Sequence, residues 1–155
     1  GPAVGAGLSV ALAADITVMA RSAYLLLAFA NIGLVPDAGA TWLVAKSTGR
    51  AKALEMALLG EKVSADQALD LGLVTRVADD EAVLAEAMKI ATKLANGPSI
   101  ALGLIRKQVA AALGSTLNET LDNEKINQRE AGRTADFREA VSAFAEKRKP
   151  VFKGK

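Results

Sequence analysis

One acidic residue, Asp37, stands out as a candidate for proton-transfer chemistry. It is the only carboxylate between Asp15 and Glu55, and it follows Pro36 in the run Ile-Gly-Leu-Val-Pro-Asp-Ala-Gly-Ala-Thr, residues 32–41. A single acid in an apolar loop suits the removal and return of a proton on an activated carbonyl compound. An acid at this place could equally cap the helix that follows, so a structural role is also open.

A second candidate is the small-residue turn Gly5-Ala6-Gly7. A turn of this composition brings backbone N–H groups close to a ligand, although small residues at a helix start also permit close packing. The turn is not a dinucleotide-binding fingerprint, because Val10 stands where a third glycine is needed.

The composition excludes several kinds of chemistry. The chain contains no cysteine and no histidine, so thiolate nucleophiles, disulfides and histidine-based triads are excluded, as is the commonest metal ligand. Carboxylates, backbone amides and lysines remain, and no metal site is predicted. The net charge of +2 is small, and the sequence therefore predicts no nucleic-acid partner.

The elements that must position these residues change in character along the chain. Before Gly97-Pro98, helix caps and glycine or proline breaks divide the chain into short strands and helices. After Gly97-Pro98, nearly all of the chain is predicted to be helical. We expect Trp42 in the core. The strands are predicted at 16–19, 24–27 and 74–77, although the three successive leucines at 25–27 also fit a helix. The helices are predicted at 6–14, 40–48, 51–59, 64–71, 79–95, 99–113, 117–133 and 135–147.

The apolar stretch at residues 3–14 is too short to cross a bilayer, which needs about 20 residues, and no basic region precedes it. We therefore expect no membrane association and a cytoplasmic location.

Together these motifs resemble the crotonase (enoyl-CoA hydratase/isomerase) superfamily. The resemblance implies an α/β, ClpP-like fold with a ββα spiral core, of which this chain resembles the second half only. Residues 1–97 would be the C-terminal part of that core, and residues 98–155 an all-helical C-terminal trimerisation region. The segments that carry the resemblance lie in family order at 5–9, 13–16, 32–41, 49–53, 64–74 and 142–148.

The resemblance also assigns roles to the two candidate sites. The amide of Ala6 would donate to a thioester oxygen, with a second donor in the missing N-terminal half, and Asp37 would be the acid/base. Hydratases of the family carry glutamates where this chain has Ser9 and Phe29. The loss of both carboxylates and the gain of Asp37 resemble the 1,2-epoxyphenylacetyl-CoA isomerase and enoyl-CoA isomerase subgroup.

Further residues are implied at the substrate. Phe29 and Val35 would line the acyl pocket, although Phe29 is equally suited to the core. Phe29, Val35 and Ala38 have apolar side chains that would give Asp37 apolar surroundings. Phe144 and Lys147 would contact the substrate, with Lys147 near the CoA phosphate or adenine, although Lys147 also suits an ordinary solvated helix end favoured by the helix dipole. Ser9 is predicted to be a small space-filling residue.

The resemblance thus implies an acyl-CoA isomerase that catalyses enoyl-CoA double-bond migration or, in phenylacetate catabolism, ring-epoxide isomerisation of a phenylacetyl-CoA derivative. No separate cofactor is expected, because coenzyme A is part of the substrate, and the protein is expected to form a trimer or hexamer. The fragment alone is expected to be inactive. Two alternatives are an enoyl-CoA hydratase of fatty-acid metabolism and a non-catalytic acyl-CoA-binding or scaffold module.

Overall fold

The computed structural model describes residues 1–155. The chain forms two compact units, Gly1–Met88 and Lys89–Lys155. The first is mixed α/β and the second is helical. The division at residues 97 and 98 expected for the longer enzyme stays a prediction.

Five short strands form two small sheets in the first unit. In one sheet β3 lies in the middle, parallel to β1 and antiparallel to β4. In the other, β2 and β5 are parallel, with Met19 opposite Val77. The strands are β1 (Ala3–Val4), β2 (Val18–Ala20), β3 (Tyr24–Leu26), β4 (Val63–Ser64) and β5 (Arg76–Ala78).

Three helices complete the first unit: α1 (Ala6–Leu12), α2 (Ala40–Leu59) and α3 (Ala65–Asp70). Gly49 interrupts α2 with φ 78° and ψ 169°, so the predicted stop at this glycine is confirmed as a kink between two helical segments. The Ser64 hydroxyl accepts from the N–H of Gln67, whose side chain accepts from the N–H of Ser64. This capping box fixes the start of α3.

Four helices follow: α4 (Val83–Ala95), which crosses the boundary between the units, α5 (Ser99–Ala112), α6 (Leu117–Ala131) and α7 (Ala135–Ala145). A second capping box, formed by Thr116 and Glu119, starts α6. Thr134 caps α7 by accepting from the N–H of Phe137. Within the second unit, α5 packs against α6.

The core of the first unit is built from aliphatic side chains of α1, α2 and the strand β3. Leu8 and Val44 are essentially inaccessible, as is Leu27 just after β3. Burying each such side chain is worth about 1.5–3 kcal/mol before entropic costs. This packing fixes α1 against α2, and the loops at the ends of these helices carry the candidate site.

Several expectations need correction. The strands β1 and β4 were not expected, and each has only two residues. α1 ends at Leu12 rather than at residue 14, and residues 80–82 form a 3₁₀ turn before α4. Trp42 is not in the core: its side chain is half exposed and lines an apolar cavity of about 450 Å³ beside α2.

Candidate active site

The Asp37 side chain is free in this structure. It is exposed, and its carboxylate has no hydrogen bond or ion pair with the rest of the chain. The N-cap of α2 is Gly39, and no side chain caps that helix. The capping role considered for Asp37 is therefore wrong, and the carboxylate has no structural partner to compete with a ligand.

The backbone of Asp37, in contrast, is held firmly. Its carbonyl accepts one hydrogen bond from the Ser9 hydroxyl at 3.1 Å and another from the N–H of Ala40 at 3.0 Å. The two residues that follow, Ala38 and Gly39, both have left-handed backbone conformations, with φ 49° and 83°. This turn reverses the chain into α2 and leaves the carboxylate outside.

The turn before α1 exposes backbone donors. Gly5 has φ 55° and ψ −128°, a conformation that favours glycine, and its own N–H donates to the carbonyl of Leu26 at 2.9 Å. The first N–H groups to bond back within the turn are those of Leu8 and Ser9, which both donate to the Gly5 carbonyl. The N–H of Ala6 has no acceptor in the chain, and Ala6 is exposed.

Both candidate sites are connected to α1. Ser9, which bonds to the Asp37 carbonyl, is three residues after Ala6, about 4.5 Å along a helix axis at 1.5 Å per residue. The loop that carries the free acid is thus hydrogen-bonded to the helix that begins with the free amide donor. Because α1 has only seven residues, the donor itself rather than a long helix dipole must supply the stabilisation.

The residues expected around Asp37 have different surroundings. Val35 is 80% exposed, and Asp37 and Ala38 are exposed too, so this chain does not enclose the acid. Phe29 is buried in the core, with its ring 3.8 Å from where a Gly5 side chain would begin. Phe29 therefore packs against the turn before Ala6. Its contact with an acyl group stays a prediction.

The other two expected substrate residues belong to the second unit. Phe144 is 88% exposed near the end of α7. Lys147 is exposed in a left-handed conformation with φ 55°. Its N–H donates to the carbonyl of Phe144, and the next N–H, of Arg148, donates to Ala143, a Schellman ending with lysine where glycine is usual.

The residue that sequence reasoning underestimated is Ser9. It was expected only to fill space, yet its fully buried hydroxyl is the hydrogen-bond donor to the Asp37 loop. The available signal was a lone hydroxyl among the small and apolar residues of α1. A buried hydroxyl needs a partner, but the sequence does not say which one.

No helix is both long enough and apolar enough to span a membrane.

Comparison with known proteins identifies the family. The family model described as Enoyl-CoA hydratase/isomerase matches residues 1–155. A crystal structure of enoyl-CoA hydratase subunit I from Geobacillus kaustophilus HTA426 superposes with a TM-score of 0.97 at 37% identity, covering 100% of this chain and 60% of that one. The chain therefore belongs to the enoyl-CoA hydratase/isomerase family and has the crotonase fold, and both expectations are confirmed.

Two named relatives illustrate the similarity, which extends over the whole chain. The 1,2-epoxyphenylacetyl-CoA isomerase of Escherichia coli K12 is 48% identical over 100% of this chain and 59% of its own length. A probable enoyl-CoA hydratase of Rhodobacter capsulatus is 43% identical over 100% of this chain and 60% of its own length. The chain thus spans about three fifths of the length of these relatives.

Proposed function

We infer that the full-length protein is an acyl-CoA isomerase of the crotonase superfamily. One observation carries this proposal. The loop that bears the free carboxylate of Asp37 is hydrogen-bonded to Ser9 of α1, and the first N–H of α1, that of Ala6, has no acceptor. A relative 48% identical to this chain is named 1,2-epoxyphenylacetyl-CoA isomerase, which favours isomerisation.

The chemistry proposed at this site needs one base and two amide donors. The Ala6 N–H and a second donor outside this chain would bind the thioester oxygen and stabilise the enolate that forms when a proton leaves carbon. Asp37 would accept that proton and return it to another carbon, which moves a double bond or assists ring expansion of an epoxide. One carboxylate suffices for such a transfer.

The substrate is proposed to be an acyl-CoA thioester, so coenzyme A enters with the substrate and no separate cofactor is required. Lys147, with its exposed ammonium group, is proposed to contact the CoA phosphate or adenine, and Phe144 an apolar part of the substrate. Val35 and Phe29 are proposed to line the acyl side. The active protein is proposed to be a homo-oligomer.

Asp37→Asn in the full-length protein tests the proposed base. Turnover should fall by about two to four orders of magnitude, the usual value of general acid–base catalysis. The melting temperature should stay unchanged, because the carboxylate has no partner in the chain. Asp70→Asn, another exposed acid in the first unit, is the control and should keep activity. A loss below tenfold in Asp37→Asn would remove this residue from the mechanism.

A second measurement separates isomerase from hydratase. Neither Ser9 nor Phe29 carries a carboxylate, and both are buried, so no pair of acids is available here to hold an attacking water. We expect slow hydration of crotonyl-CoA and faster double-bond migration by the same enzyme preparation. Efficient hydration would favour the hydratase, and absence of both activities would favour a non-catalytic scaffold.

A further inference from the structure

The loop that carries Asp37 has a single long-range anchor. Among residues 35–39, the only hydrogen bond to an element other than α2 is the one that the Asp37 carbonyl accepts from the Ser9 hydroxyl. The remaining bonds of this segment, from Ala40 and Leu43, come from the first turn of α2 itself. Without Ser9, no hydrogen bond would hold the loop to α1.

The anchor is rigid at both of its ends. Ser9 is completely buried, so its hydroxyl cannot turn to water instead, and Leu8 beside it is equally inaccessible. The Asp37 carbonyl is fixed on the other side by the N–H of Ala40. A carbonyl with two donors has a fixed peptide plane, and the Cβ of Asp37 is two bonds from that carbonyl carbon.

The backbone conformation of Ala38, which follows Asp37, needs the hydrogen bond from Ser9 to hold it in place. Ala38 has φ 49°, a left-handed conformation that is unfavourable for a residue with a side chain, and such conformations persist only where surrounding contacts hold them. Loss of the Ser9 bond would allow the Asp37–Ala38 peptide to rotate out of this conformation. The carboxylate would then move relative to the Ala6 N–H.

We propose that Ser9 is a positioning residue that sets the direction of the Asp37 carboxylate through the hydrogen bond from its hydroxyl to the Asp37 carbonyl. This inference rests on the proposed role of Asp37 as the base. Ser9 does not touch the reacting atoms, and its effect reaches the substrate only through Asp37.

The test is Ser9→Ala in the full-length protein, with acyl-CoA isomerisation as the assay. Misplacement of a reacting group by about 1 Å can cost about 100-fold, so we expect kcat to fall about 10- to 100-fold. KM should change much less, because the Ala6 amide and the CoA contacts are untouched. Ser9→Cys, with a weaker thiol donor, should fall between Ser9→Ala and the unaltered protein, and it carries the same test should Ser9→Ala fold poorly.

Thr17→Val is the matched control. The Thr17 hydroxyl likewise donates to a backbone carbonyl of another segment, that of Ala11 in α1 at 3.3 Å, and it makes no hydrogen bond to the Asp37 loop. Its loss should lower the melting temperature about as much as Ser9→Ala does and leave kcat unchanged. A kcat for Ser9→Ala equal to that of Thr17→Val would overturn the proposal.

The double variant Ser9→Ala with Asp37→Asn distinguishes positioning from general weakening of the fold. If Ser9 acts only through Asp37, the double variant should be no slower than Asp37→Asn alone. Multiplied losses would show that Ser9 acts elsewhere. If Asp37→Asn alone keeps its activity, the proposed function fails; if Asp37→Asn is impaired and Ser9→Ala is not, only the positioning role is wrong.

Discussion

At the residue scale, the site depends on backbone conformations that cost free energy. Ala38 adopts φ 49°, a left-handed conformation in which the Cβ of alanine is crowded by the backbone. Glycine has no Cβ and would avoid this steric cost. Left-handed conformations cost an L residue about 1–2 kcal/mol. The exposed position of Ala38 adds no packing that would offset this cost, so the loop stores strain beside the candidate base.

Substitutions at Ala38 should therefore change stability in opposite directions. We expect Ala38→Val to lower the free energy of unfolding by about 1 kcal/mol or more, because a β-branched residue tolerates this region poorly. Ala38→Gly should keep or raise it by up to about 1 kcal/mol, since relief of strain exceeds the added entropy of the unfolded chain. Denaturant unfolding measures both. A neutral Ala38→Val would contradict the left-handed conformation.

Residue type and local spacing made Asp37 and the Gly5–Gly7 turn candidates, whereas the role of the Ala6 amide came from the family resemblance; both roles stay predictions. A lone acid next to proline and glycine, and a turn of small residues, are visible without knowledge of the fold. The partner of the Ser9 hydroxyl was not predictable, because it lies 28 residues away and is set by the packing of α1 on α2. The capping role of Asp37 failed because two left-handed residues separate it from the start of α2.

At the element scale, local signals predicted the helices well and the shortest strands not at all. Ser64 with Gln67 forms the capping box of α3, and Gly49 interrupts α2 as expected. The strands β1 and β4 have two residues each, too few for any alternation to appear. They exist because β3 pairs with both, which is a long-range property of the fold.

The kink in α2 gives a prediction with a built-in control. Gly49 has φ 78° and ψ 169°, a region open only to glycine, so Gly49→Ala should cost about 1–3 kcal/mol of stability. Gly103 lies within α5, and a Cβ at either glycine would meet no atom within 4 Å. Gly103→Ala should therefore stabilise by about 0.5–1 kcal/mol. Equal effects at the two positions would contradict the kink.

Glu139 on α7 anchors the chain segment that follows the helix. Its two carboxylate oxygens accept from the Arg148 guanidinium at 2.6 and 3.1 Å, and one also accepts from the N–H of Val151 at 2.9 Å. The hydrogen bonds from Arg148, and next that from Val151, lower the pKa of Glu139 from 4.5 to about 2. The anchoring is thus a property of the ionised carboxylate.

This lowered pKa sets the acid response of the segment. Because the folded pKa lies below the unfolded one, the stabilisation is complete above pH 4.5 and is lost as the pH falls towards 2. The carboxyl carbon of Glu139, followed by NMR, should titrate near pH 2, with the Val151 amide shift changing in parallel. In Glu139→Gln that parallel change should disappear. A midpoint near 4.5 would mean that the anchor does not form in solution.

At the scale of the whole molecule, the second unit leaves much apolar surface uncovered. Six large apolar residues of α6 and α7 are at least half exposed: Leu117, Leu121, Ile126, Phe137, Val141 and Phe144. Large exposed apolar surfaces commonly mark contacts between proteins. Self-association of identical chains with closed symmetry is the usual way to cover them.

We therefore expect the full-length protein to be a homo-oligomer, most simply a trimer or a pair of trimers, and light scattering at micromolar concentration measures this directly. Leu121→Lys places a charge on the side of α6 that carries Leu117 and Leu121, and it should shift the protein towards smaller species, because an unpaired charge is costly in an interface. Glu61→Lys is the control, since it places a lysine at an exposed residue of the first unit, outside α6 and α7. It should leave the assembly intact. A monomeric unaltered protein would contradict the prediction, and equal dissociation by both substitutions would point to a charge effect unrelated to this face.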